Sequence, residues 1–94
     1  MGYSIDFKNR DRLIQLGLAI STLRHIRGMS QEELAEKAEI SRAYISNIEA
    51  PNIPYNFNLN AFFNIADALD VPPEKLIVAS VMPDDIIGSD KNAK

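Results

Sequence analysis

Between Ser30 and Pro51 the chain has room for two short helices and a three-residue corner, and this stretch constrains the fold more than any other. Ser30 is followed three residues later by Glu33. That is the pattern of a capping box, in which each side chain accepts a backbone N–H that a helix start leaves unpaired. Leu34, Ala35 and Ala38 then form an apolar stripe, and Glu39 and Ile40 lead to Ser41, a good N-cap for the next helix. Pro51 stops that helix, because proline cannot continue the hydrogen-bond ladder. Two such helices cross closely only with a small residue at the contact, and Ala35 is placed for that role. Tyr44, Ile45 and Ile48 form the inward-facing set of the second helix.

Helical signals recur on both sides of this unit. From about Asp11, the residues Leu13, Leu16, Ile20, Leu23 and Ile26 follow three-four spacing, which predicts an amphipathic helix of about four or five turns. Gly28 ends it in the left-handed conformation, with Arg24 and Arg27 favourable to the dipole in the last turn. Residues 52–57 read as a loop, and Asn58 caps a fourth helix whose wide apolar face is Leu59, Phe62, Phe63, Ile65, Ala66 and Leu69. The cluster Phe57, Phe62 and Phe63 is expected in the core or at a dimer interface. Val71-Pro72-Pro73 makes a rigid corner before a short fifth helix through Glu74, Leu76 and Ile77. Neither period-two alternation nor an Asn-Gly or Asp-Gly hairpin is present, so the fold class is all-α. At 94 residues there is room for one domain. It is expected over residues 1–79, with the helical pair at 31–50 and a largely flexible C-terminal tail at 80–94.

Much chemistry is excluded by what the chain lacks. It has no cysteine, and His25 is its single histidine, so neither a metal site nor an imidazole-assisted nucleophile is expected. Glu32, Glu33 and Glu36 read as a solvated helix face, and no Gly-rich phosphate loop occurs. No catalytic residue, cofactor or small-molecule substrate is therefore expected, and the chain is not expected to be an enzyme. No apolar run approaches the roughly 18 residues of a membrane span, and the N-terminal region is charged at Asp6, Lys8 and Arg10. The expected location is the cytoplasm. The net charge of −3 at first sight argues against nucleic acid as a partner, yet the acidic excess lies in residues 51–94.

The exposed face of the second short helix offers Ser41, Arg42, Ala43, Ser46 and Asn47, with no acid before Glu49. A slim helix with short polar side chains is what a DNA major groove admits. Its arginine can pair with guanine O6 and N7, and its asparagine with adenine N6 and N7.

The strings Leu23-Arg24, Gly28-Met29-Ser30-Gln31-Glu32-Glu33-Leu34-Ala35, Ile40-Ser41-Arg42, Tyr44-Ile45-Ser46, Ile48-Glu49 and Ile65-Ala66-Asp67-Ala68-Leu69 carry a resemblance. They look like the phage repressor and Cro family of helix-turn-helix proteins, the xenobiotic response element type, over about residues 16 to 77. The resemblance implies a five-helix, lambda-repressor-like DNA-binding domain with the third helix as reader. In size the chain is similar to stand-alone members such as restriction-modification controller proteins, which dimerise through their C-terminal helices.

Carried over position by position, the resemblance implies that Arg42, Ala43 and Asn47 face base edges, while Gln31, Ser41 and Ser46 contact phosphates. It implies an internal ion pair between Arg24 and Glu49. It also places Glu39 at a corner that the family gives to glycine, at a cost of about 1 kcal/mol or more if positive φ is kept there. Ala50-Pro51 and a longer, lysine-free loop follow the third helix, so phosphate contacts there would be neutral and dimerisation correspondingly important. The expected function is that of a sequence-specific transcriptional regulator, a homodimer on an inverted repeat in double-stranded DNA. The alternative is the same fold used as a protein-binding module of antitoxin or anti-repressor type.

Overall fold

The computed structural model describes residues 5–81, which form five α-helices and, among the described residues, no strand. They are α1 (Phe7–Ile26), α2 (Gln31–Ala38), α3 (Arg42–Glu49), α4 (Leu59–Ala68) and α5 (Pro73–Val81). The expected tail falls almost wholly outside the described residues.

Helix α1 starts at Phe7, a turn earlier than the spacing of its leucines and isoleucines predicts. No glycine or proline between Ile5 and Leu16 interrupts it, and Asp6 provides an extended N-cap residue, although its side chain makes no capping hydrogen bond. Nor does α1 carry a single apolar stripe. It packs on α5 along one side and on α3 along another, so its buried residues are Gly17, Ala19, Ile20, Leu23 and Arg24, while Leu13 and Leu16 are half-buried. Ile26, expected to face inward, is the last residue of the helix and is 56% exposed there.

Three helices close by the same device. Met29 N–H donates to the Arg24 carbonyl, Ile40 N–H to Ala35 and Val71 N–H to Ala66, each at 3.0 Å. In each case the preceding residue is left-handed: Gly28 at φ 73°, Glu39 at φ 60° and Asp70 at φ 59°. These are Schellman closures, which satisfy carbonyls that a helix end leaves unpaired. Only one of the three uses glycine, so Glu39 and Asp70 each carry the steric cost of a Cβ in that region.

The helix starts follow their caps. Ser30 and Glu33 form both halves of the capping box, at 3.0 and 2.8 Å. Ser41 Oγ accepts Tyr44 N–H at 3.1 Å, and Asn58 Oδ1 accepts Ala61 N–H at 2.8 Å. Pro73 opens α5 with its fixed φ.

Ile20, Leu34, Ile45, Ile65, Leu69 and Leu76 are fully buried, so every helix contributes at least one side chain to one core. Ala35 is buried where α2 meets α3. The apolar face of α4 is narrower than its composition suggests: Phe62, Ile65 and Ala66 are buried, whereas Leu59 is 68% and Phe63 47% exposed. Both lie on the flank that α2 and α5 do not cover. Arg27 Nε donates to the Leu69 carbonyl at 2.7 Å and ties the ends of α1 and α4 together.

Candidate nucleic-acid interface

Helix α3 is short enough to have two clean faces. Ile45 and Ile48 are buried, and Ser41, Arg42, Ala43, Ser46 and Asn47 are all exposed on the opposite side. The first helical turn therefore presents Arg42 and Ala43 together, and the next presents Ser46 and Asn47. The Ser41 hydroxyl accepts a backbone N–H as N-cap, which leaves its own O–H proton free to donate.

The orientation of α3 is held at its far end by a buried polar cluster. Arg24, 7% exposed, donates from Nε to Glu49 Oε2 at 2.8 Å and from Nη2 to Oε1 at 2.9 Å, a fork-to-fork pair. Its Nη1 donates to the Met29 carbonyl at 2.7 Å, and Gln31 Nε2 donates to Glu49 Oε1 at 3.0 Å. Among the described residues no buried side-chain nitrogen or oxygen lacks a partner. The Glu49 hydrogen bond raises the Arg24 pKa above its ordinary value, against a smaller opposing effect of burial, so the guanidinium stays charged. One side chain thus connects α1, the α1–α2 turn and the end of α3, and Gln31 adds the start of α2.

Of the residues expected at phosphates, Ser41 and Ser46 flank the exposed face of α3. Gln31 is half-buried, with its side-chain amide engaged on Glu49. Its backbone N–H, at the first position of α2, remains one of the donors that a helix start leaves unpaired. Tyr44, expected to face the core, is half-buried and does something more specific. Its Oη accepts Asn58 N–H at 3.3 Å, and its ring meets Tyr55 edge-on with centroids 5.6 Å apart. The α3–α4 connection is pinned to the reader helix by these contacts.

Gly17 has a positioning role that its sequence signal, a glycine in a helix interior, could have raised. A Cβ there would run into the carbonyl oxygen of Ile48. Only the bare Cα lets α1 lie against the last turn of α3. Beside this contact an open groove of about 580 Å³ runs between α1 and the end of α3, bordered by Ser21, Gln31 and Ser46.

Residues 20–76 match the Helix-turn-helix family model, which takes in the last third of α1, all of α2, α3 and α4, and the first turn of α5. The chain belongs to this helix-turn-helix family. It is a family of DNA-binding transcription regulators of the xenobiotic response element type, regulatory rather than enzymatic. Over 57 residues this helix-turn-helix chain is 42% identical to the antitoxin HipB of Escherichia coli K12, covering 61% of the chain and 62% of HipB. The HipB of Escherichia coli O6:H1 (strain CFT073) matches at the same 42% over 57 residues, which is 58% of its length. The chain therefore spans about three fifths of the curated relatives it matches.

Among solved structures, the restriction-modification controller protein C.AhdI from Aeromonas hydrophila has a TM-score of 0.63 at 33% identity, over 68% of this chain and 94% of that one. A C.Esp1396I nucleoprotein complex gives 0.66 at 27% identity, over 76% and 94%. A point mutant of the same controller protein gives 0.66 at 25%, over 77% and 97%. Among the described residues, no helix is long and apolar enough to cross a membrane, and no group of three His, Cys, Asp or Glu is placed to hold a metal ion.

Proposed function

We propose that this helix-turn-helix chain is a sequence-specific regulator that binds double-stranded DNA as a homodimer on an inverted-repeat operator, in the cytoplasm. The observation that carries this reading is the exposed face of α3, on which Arg42, Ala43, Ser46 and Asn47 stand together without a carboxylate, oriented by the buried Arg24–Glu49 pair. In the complex, Arg42 and Asn47 read base edges in the major groove with Ala43 against a thymine methyl group, and Gln31, Ser41 and Ser46 hold phosphates. The structure of C.Esp1396I as a nucleoprotein complex supports DNA as the partner. One α3 reads only a few base pairs, which favours a dimer, and Phe63, Ile77 and Val81 leave apolar surface on α4 and α5 for self-association.

The second reading, a protein-binding module, has one observation in its favour, the 42% identity to a protein named as an antitoxin. Selection of bound sites from random duplex DNA at one fixed salt concentration separates the two. An inverted repeat with half-site centres about 34 Å apart, one DNA turn, is the expected result. Failure to enrich any sequence overturns the regulator reading in favour of the protein-binding one.

A further inference from the structure

Residues 7–19 of α1 precede the stretch matched by the family model, and besides packing on α5 they meet the end of α3 and the connection after it through Gly17 and Arg10. At three- and four-residue spacing, Arg10, Ile14, Gly17 and Leu18 share the side of α1 that meets the last turn of α3 and the connection after it. Gly17 makes the close approach to Ile48, and Ile14 and Leu18 wall the open groove of about 580 Å³ opposite Pro51 and Asn52. Gln31 and Ser46 border the same groove, so it is continuous with the face proposed to meet DNA.

The charge at this groove comes from one side. Residues 51–58 contain no lysine or arginine, so the connection after α3 brings no cation of its own. Arg10 stands one helical turn before Ile14, and its Nη2 donates to the Asn52 carbonyl at 3.4 Å. Its Nη1 lies 3.5 Å from Asp11, a pair whose side chains are 45% and 86% exposed. Glu49 is the one acid lining the groove, and both of its carboxylate oxygens are already engaged by Arg24 and Gln31. Arg10 stands beside the groove, bonded to the carbonyl of Asn52 on its wall, while the guanidinium that lines it, Arg24, is engaged by Glu49. An anion seated there has Arg10 at its edge and faces no free carboxylate on the walls.

We propose that this groove seats the phosphodiester backbone beside the bases read by α3, and that Arg10 is its phosphate-binding cation. The proposal rests on the DNA reading above. Arg10 exchanges a long carbonyl bond and an exposed ion pair with Asp11, which contributes little in water, for a charge-assisted bond to phosphate. The N-terminal half of α1 supplies across space the charge that the loop lacks in sequence. Phosphate contacts fix position without reading sequence, so Arg10 raises affinity for all duplexes alike.

The test is a titration of the full chain with a duplex carrying its selected site and with an unrelated duplex, over a series of salt concentrations. It uses wild type, Arg10→Gln, Arg10→Lys and Asp11→Asn. Arg10→Gln is expected to weaken both duplexes by the same factor, about five- to tenfold per subunit at 0.1 M salt, and to lower the slope of log K against log salt by about 0.9 per subunit. Arg10→Lys is expected to keep the slope, and Asp11→Asn to strengthen both duplexes equally. Wild-type affinity and slope in Arg10→Gln overturn the proposal, and so does a loss confined to the selected site, which would put Arg10 on a base. If wild type selects a consensus while Arg10→Gln keeps its slope, the groove assignment alone falls. If wild type binds neither duplex, both readings fall together.

Discussion

Gly17 of α1 and the carbonyl of Ile48 in α3 touch with no space between them for a methyl group. The contact sets how near α1 comes to the last turn of the reader helix. In a helix interior alanine is ordinarily better than glycine by about 1 kcal/mol. Here the clash is with backbone, which cannot rotate away. Gly17→Ala is expected to destabilise the protein by about 1 to 3 kcal/mol net, as overpacking does. Urea denaturation checks it, and a variant more stable than wild type would show that α1 and α3 separate freely.

Arg24→Ala leaves Glu49 buried with only Gln31 to bond it, and should cost roughly 3 kcal/mol of stability, far more than an arginine on a surface. Replacing Glu49 by alanine as well removes the stranded charge, so the double variant should lose less than the two singles added together. Additive losses in the double-mutant cycle would mean that the pair contributes no coupling.

Glu39→Gly should stabilise the fold by up to about 1 kcal/mol, because glycine relieves the left-handed strain while giving back some of the gain in unfolded-chain entropy. The Glu39 side chain is exposed and serves no cap, so little else is lost. A lower denaturation midpoint would contradict this.

Arg42→Ala and Asn47→Ala should each flatten the selected consensus at one base pair of every half-site, with about 1 to 3 kcal/mol less discrimination there. Ser41→Ala should weaken all sequences alike. It also removes the N-cap of α3, at about 1 kcal/mol of stability, so its affinity has to be read per folded molecule. An unchanged consensus in both Arg42→Ala and Asn47→Ala would remove α3 from the reading of bases.

What could be read from the sequence was whatever is decided within a few residues. The Ser30–Glu33 box, the caps at Ser41 and Asn58 and the stop at Pro51 are local chemistry, and the boundaries of α2, α3 and α4 follow from them. Arg24 with Glu49 is a contact between residues far apart in sequence, for which spacing alone has no signal. It was legible through resemblance to a family. What lay out of reach depends on which neighbour covers which face: the exposure of Ile26, Leu59 and Phe63, and the two roles of Tyr44. Gly17 stands between the two, since a glycine inside a helix is a signal in the sequence while its partner Ile48 is not, and Arg10 belongs with the features out of reach. A glycine without a turn and an arginine near a chain end acquire meaning only once α1 is laid beside α3.

The buried cluster around Glu49 also bears on the heat of association. Because Arg24 and Gln31 fix α2 and α3 relative to α1 inside one folded core, the face of α3 requires no ordering transition when a partner arrives. Docking should then proceed with a small negative heat-capacity change, set by the apolar area covered and not by coupled folding. Its binding enthalpy should be correspondingly insensitive to temperature, up to the point at which the domain itself unfolds.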